Sequence, residues 1–211
     1  MTSETPVPVA IGNVFQTDRF FVMTPSFWGD GRMPGLEIAN KDKLRRPGTF
    51  RIEPPNGDPH QYPERPHLVH VPKMGGLPRD FEEVASKWIV SEALKRVFES
   101  VDPEGFAFAA CDFTLADGTS GPQYYFCNVL RTLDALDERV SKLKIEIGDY
   151  VNGKYYNRVG GASLVFNEDI VGSAHVFRTP FAPTVFCDRI LRDAVLGEDL
   201  KGVQFADVAD C

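Results

Sequence analysis

The chain lacks the features that would tie it to a membrane or an oxidising compartment. Its 211 residues contain no run of 18 or more apolar residues, so a membrane-spanning helix is not expected. The start, Met1-Thr2-Ser3-Glu4-Thr5-Pro6, has neither the basic region nor the apolar core of a secretory signal, and the expected location is the cytoplasm. Cysteine is sparse and poorly spaced for chemistry. Cys111, Cys127 and Cys187 sit in apolar stretches and Cys211 is the last residue, which reads as reduced, buried thiols with no disulfide framework, zinc site or redox pair.

Recognisable catalytic wording is also missing. There is no Gly-x-Ser-x-Gly elbow, no His-Glu-x-x-His pair and no Ser, His, Asp order of the hydrolase kind. Of the 4 histidines, His60, His67 and His70 crowd together, but a strand through Leu68 and Val69 points His67 and His70 to opposite faces, which is wrong for a shared ion. His175 has no cysteine or carboxylate beside it in sequence. The glycine-dense Gly29-Asp30-Gly31-Arg32-Met33-Pro34-Gly35 misses phosphate-loop spacing and is not followed by a capped helix, so it reads as a turn. Gly160-Gly161 reads likewise. Asp134 and Asp137 have the spacing of paired carboxylates on a helical turn, yet their setting suits turn capping better. No enzyme, metal or cofactor is expected.

What is present is an uneven charge. Residues 1–100 hold 13 Lys and Arg against 13 Asp and Glu, whereas residues 101–211 hold 10 against 17, so the whole net charge of -7 lies in the second half. Such a surface repels nucleic acid and suits a basic protein partner or simple solubility. The one basic cluster, Lys41, Lys43, Arg45 and Arg46, is short, broken by Asp42, and reads as a solvated loop.

Punctuation divides the chain at about residue 78. Of the 16 prolines, 12 fall at or before Pro78, which bars long helices or central strands there. This segment is expected to be an ordered arm with brief strands at Asn13–Phe15, Arg19–Met23, Thr49–Ile52 and His67–Val71, and a turn at Pro55–Asp58, with Phe20, Phe21, Phe27 and Trp28 anchoring it. After Pro78 the pattern predicts a helix over 80–100, with Asp80 as N-cap, Glu83 completing a capping box, and Trp88 in the core. Strands are expected at 106–113, 123–130, 143–147, 162–166 and 174–178, with a hairpin turn at Asp117–Pro122 and a second helix from about Cys187 or Asp188 to Leu196, stopped by Gly197. Together these predict an α+β fold: a mixed or antiparallel sheet of four to five strands packed with two main helices. The proline-rich arm of residues 1–78 precedes a core of residues 79–211.

An ordered series of short elements runs through the last part of the chain. It comprises Gln123–Leu130, Thr132-Leu133-Asp134-Ala135-Leu136-Asp137 with Ser141, Ala162–Glu168, Val176-Phe177-Arg178, Thr184–Asp188 into Arg189–Ala194, and Leu200–Phe205. In order and spacing, over roughly residues 80 to 205, this series resembles the polymorphic-toxin immunity proteins of the myxobacterial type, bacterial proteins encoded beside the toxins they neutralise. The resemblance implies a non-catalytic inhibitor that binds one cognate toxin, and it implies no catalytic residues.

The acidic half supplies candidate contacts for such a partner, chosen for charge and exposure: Asp112, Asp117, Asp134, Asp137, Glu138, Glu146, Asp149, Glu168 and Asp169. The expected partner is a toxin with a basic surface. Nucleic acid and membrane are not expected, and self-association is left open. A scaffold module of a secretion or surface complex, or an enzyme with a site assembled from scattered residues, stand as alternatives.

Overall fold

The computed structural model describes residues 19–26, 33–45, 48, 52–53, 58 and 62–211. The expected strand at 13–15, Phe27, Trp28, Arg46, His60 and most of the 29–35, 49–52 and 55–58 segments lie outside these.

Of the described residues, 41% lie in strands and 17% in helices, so the fold is mostly β and the expected sheet of four to five strands with two main helices is wrong. Three sheets form instead. The largest has six strands: β2 (Leu36–Ile38), β3 (His67–His70), β6 (Phe106–Thr114), β7 (Tyr124–Val129), β5 (Lys87–Ser91) and β4 (Phe81–Val84), in that spatial order. It curls towards closure, and only its β3–β6 pair is parallel. A four-stranded antiparallel sheet runs β10 (Val176–Thr179), β11 (Ala182–Asp188), β1 (Phe20–Pro25) and β12 (Val203–Asp207). A third sheet is the two-stranded hairpin β8 (Lys144–Ile147) and β9 (Lys154–Asn157).

The largest departure from expectation is at residues 80–100. The first half of the expected helix is the hairpin β4–β5, and helix α2 covers only Glu92–Val101. The cause lies in burial. Trp88 and Val90 enter the core beneath α2, while Ile89 enters the core on the opposite face of the sheet. A strand buried on both faces shows a continuous apolar run with no period of two, and such a run cannot be told from a helix by spacing. The turn gives no warning either, because Ala85 and Ser86 occupy the two positive-φ positions (φ 51° and 60°) where Asn-Gly would announce a hairpin.

Asp80 is therefore not a helix cap. Its carboxylate accepts the Ser91 hydroxyl (2.7 Å) and the Lys201 N–H (2.8 Å), and Ser91 is the true N-cap, accepting from the Leu94 N–H at 3.2 Å. Helix α4 (Arg189–Leu196) lies where expected, capped by Asp188 through the Leu191 N–H at 3.0 Å and ending at Gly197. The hairpin of 106–130 is also as expected. The expected strand 162–166 is instead an irregular segment held by isolated bridges, and β2, β9, β11 and β12 lie outside the strands that the pattern predicts. In β11, Pro183 sits at a register shift, where a missing donor is tolerated.

Burial organises these sheets into three apolar clusters. The central one joins Phe21, Met23 and Val185 of the four-stranded sheet to Phe81, Trp88 and Cys127 of the six-stranded sheet, with Leu94 and Phe98 of α2 and Leu191 of α4. The other face of the four-stranded sheet (Phe20, Val22, Phe177, Phe186) is covered by residues 135–136, 156, 162–166 and 171. The outer face of the six-stranded sheet (Ile89, Ala109, Phe126) is covered by Leu44, Ile52 and Tyr62, with α1 (Lys41–Leu44) contributing Leu44. Strand β1 pairs with both β11 and β12, and β3 pairs with β6, so the described part of residues 1–78 supplies strands to both large sheets.

Polar junctions lock the layers. Arg79 forms a bidentate pair with the buried Glu82 (2.8 Å for each bond) and donates to the Ser26 carbonyl at 2.7 Å. Gly202 sits here with φ +89°, and a Cβ on it would lie 2.4 Å from the Phe81 carbonyl oxygen, so only glycine fits. Buried Asp102 accepts from Arg131 and from the backbone N–H groups of His175 (3.0 Å) and Val176 (3.2 Å), tying the end of α2 to β10.

Candidate partner-binding surface

The nine acidic candidates fall into three places. Five lie along one band, formed where residues 132–142 run beside 162–168. Leu136 bridges Phe166, Lys142 bridges Ser163, and the N–H groups of Asn167 and Asp137 donate to the carbonyls of Ala135 (2.7 Å) and Val165 (2.8 Å). Apolar Ala135, Leu136, Leu164 and Phe166 turn inward onto the four-stranded sheet, leaving Asp134, Asp137, Glu138, Glu168 and Asp169 along the outer side.

Their engagements differ. Asp137 accepts the Arg139 N–H at 2.9 Å in a local turn. Glu138 accepts from Lys154 and from the Tyr156 hydroxyl, and the Lys154 ammonium foremost holds its carboxyl below the ordinary range. Glu168, in the one-turn helix α3 (Glu168–Val171), pairs with Arg19. Asp134 and Asp169 are exposed, and among the described residues neither carboxylate takes a side-chain hydrogen bond or ion pair.

The β8–β9 hairpin carries Glu146 and Asp149. Glu146 accepts from Lys144 (2.7 Å), Asn157 (2.8 Å) and Tyr150 (2.7 Å), which together hold its carboxyl at about 2, Lys144 contributing most. Tyr150 stacks on Tyr155 with ring centroids 5.5 Å apart, and the hairpin is fastened to the body by Asn152 donating to the Pro180 carbonyl (2.5 Å) and Tyr156 N–H to Phe181 (3.0 Å). Its tip presents Ile147, fully exposed Val151 and the exposed Asp149, whose carboxylate takes no hydrogen bond or ion pair among the described residues. Asp112 and Asp117 lie elsewhere, on β6 and in the turn after it. Asp112 pairs with Arg65 at 3.1 Å, and Asp117 accepts the N–H and hydroxyl of Thr119 (2.9 and 2.6 Å), contacts that lower its carboxyl. The structure thus gathers five candidates, sets two on an arm, and separates two.

Groups with the look of chemistry are occupied in holding the fold. His175 Nδ1 lies 2.7 Å from Asp188, which also caps α4, so the pair fastens β10 and β11 to that helix. His67 meets the Thr114 hydroxyl at 2.9 Å. Among the described residues no three His, Cys, Asp or Glu side chains are grouped to hold a metal, and no helix is long and apolar enough to cross a membrane. In the basic cluster, Lys43 pairs with Glu64 (2.9 Å) and Arg45 with Asp42 (2.7 Å).

A groove of about 780 Å³ opens along Phe106–Ala110 of β6, between Tyr62, Glu64, Arg65 and Pro66 on one side and Lys95, Glu99 and Tyr125 on the other. The sequence marks 106–113 as a strand, but only the tertiary pairing reveals that part of its edge lines a groove.

A family model described as an immunity protein family, Imm11, matches residues 19–210. The chain belongs to the Imm11 immunity protein family. This match reaches back through β1, β2 and β3, beyond the segment that carries the resemblance in the sequence, and assigns the chain a toxin-neutralising immunity role in general terms. Neutralisation at the level of the family points away from catalysis. No curated protein matches the chain.

Proposed function

We propose that this Imm11 protein neutralises a single cognate toxin by binding it directly, without catalysis, in the cytoplasm of the cell that makes both. The observation that carries the reading is the family match across residues 19–210. The charge pattern supports a basic partner: the whole net charge of -7 lies in residues 101–211, and Asp134, Asp149 and Asp169 stand exposed there, with no hydrogen bond or ion pair to their carboxylates among the described residues. Free carboxylates of this kind draw in a basic surface over a Debye length of roughly 8–10 Å and are screened as salt rises. If the toxin acts on nucleic acid, its basic cleft is the surface these groups would imitate phosphate to enter.

The test is co-expression of this chain with the toxin encoded beside it, followed by binding kinetics of the purified pair. The expected result is rescue of growth, a stoichiometric complex, and an association rate that falls between low and physiological salt. Reversing Asp134, Asp149 and Asp169 together to Lys should slow association by about tenfold, while Lys41→Glu with Lys43→Glu changes little. Loss of protection from the basic-cluster change alone, or an association rate flat with salt, would move the interface away from the acidic half.

A further inference from the structure

We propose that the outer edge of β6 at Phe106–Ala110 receives an extended strand of the toxin. This inference rests on the neutralising function above and assigns it a second contact. It starts from a mismatch of lengths. Strand β6 has nine residues, and β7 pairs with Phe106–Cys111, but on the opposite edge β3 pairs only with Asp112, Phe113 and Thr114. Among the described residues no strand lies beside 106–110 on that edge.

Hydrogen bonding fixes which groups face outward. The Leu130 N–H donates to the Gly105 carbonyl (2.9 Å), so residues 105, 107, 109 and 111 turn their backbone groups towards β7. Asp112 donates outward to the Pro66 carbonyl at 2.9 Å, in the same phase. The N–H and C=O groups of Phe108 and Ala110 therefore point into the groove, a row that another extended backbone satisfies.

The walls choose the occupant. The edge is the floor of the 780 Å³ groove, with Tyr62 and Pro66 rising on one face of the sheet and Lys95 and Glu99 of α2 on the other. A second copy would present the same recessed edge, and two recessed edges cannot approach to the spacing of about 4.8 Å that pairing needs. A single protruding strand can. Its side chains would alternate between a space left by small Ala107 and Ala109 beneath Tyr62 and an aromatic flank of Phe108 and Tyr125, over which the Lys95 ammonium already lies (5.3 and 5.2 Å to the ring centres). The strand that fits carries bulky apolar residues at alternate positions.

Amide exchange on the full chain, alone and with the purified toxin domain encoded beside it, tests this. In the free protein the Phe108 and Ala110 amides should exchange fast while that of Ala109, bonded to β7, stays protected. On adding the toxin domain the first two should slow by about a hundredfold. Ala110→Pro removes an outward donor without touching the β7 ladder and should weaken the complex at least tenfold, with Ala110→Gly as the control that keeps the N–H. Protection of both amides in the free chain at every concentration, protection that appears only as this chain is concentrated, or unchanged exchange in a formed complex would each overturn the inference. In the last case neutralisation stands and only the edge contact falls; failure of the toxin domain to bind at all removes both.

Discussion

Replacing Ala85 by Asn and Ser86 by Gly should stabilise the protein by about 1 kcal/mol, and the sign of the effect separates two structures for the same residues. In the hairpin β4–β5 both residues hold positive φ, 51° and 60°, a conformation that costs a residue with an ordinary Cβ about 1 kcal/mol or more. Gly at 86 removes that cost and Asn at 85 reduces it. Against this stands the extra freedom glycine gives the unfolded chain, about 0.5–1 kcal/mol, which leaves a net gain of about 1 kcal/mol. If residues 80–100 formed one helix, as their apolar spacing suggests, the same pair would lose about 1 kcal/mol, because Asn and Gly rank well below Ala and Ser in helix interiors. Both side chains are exposed, so packing does not obscure the comparison. Urea denaturation followed by far-UV circular dichroism, with an unchanged slope, measures the difference. A destabilisation of 0.5 kcal/mol or more would refute the hairpin.

Trp88→Ala should cost about 3–5 kcal/mol, since the indole is only 9% exposed, packs edge-on to Phe81 at 4.7 Å, and lies beneath the Arg178 guanidinium at 5.9 Å; a loss below about 1 kcal/mol in chemical denaturation would mean the ring is not core. Of the four thiols, Cys111, Cys127 and Cys187 are buried, and burial foremost pushes all three up, Cys111 to about 12. An aromatic disulfide reagent should therefore titrate Cys211 alone in the native protein and all four after denaturation. Glu146, held at about 2 against an ordinary 4.5, has a lowered folded value. Its contacts therefore support the β8–β9 hairpin fully above about pH 4.5 and lose that support as pH falls towards 2, which carboxyl chemical shifts and the Tyr150 resonances should report together.

The parts of this fold that were legible in the sequence are those whose signals are local. Asp188 and Gly197 bracket α4 because capping and helix arrest act within a turn, and Asp117-Gly118 marks its hairpin because glycine there takes φ 85°. What could not be read depends on distant partners. Strand β1 reads Phe20-Phe21-Val22-Met23, with alternate residues entering two different cores, and only the pairing with β11 and β12 explains why both faces are apolar. Ala162–Phe166 alternates like a strand yet lies on no ladder, since its backbone is shared among bridges to Lys142, Leu136 and the chain end. For the surface, charge was readable but engagement was not: nothing local separates Glu138, bound to Lys154 and Tyr156, from exposed Asp134 four residues earlier.

Among the described residues both faces of each large sheet are consumed by packing, the inner faces against each other and the helices, the outer faces under Tyr62, Ile52 and Leu44 or under the 135–171 segments. A partner therefore cannot lie across a sheet face as many flat interfaces do. The charged loops, the β8–β9 arm and the β6 edge are open to it, and these differ in what they contribute. Exposed carboxylates act at a distance and set how often the partners meet, whereas backbone pairing in a recessed groove forms only after contact and sets how long they stay together. The two variant sets should separate accordingly. Reversal of Asp134, Asp149 and Asp169 should lower the association rate and its salt dependence with little change in dissociation, while Ala110→Pro should raise the dissociation rate at least tenfold and leave the salt dependence intact. If both sets change the same rate constant, the acidic surface and the edge do not act as independent contacts, and the division of labour argued from their geometry is wrong.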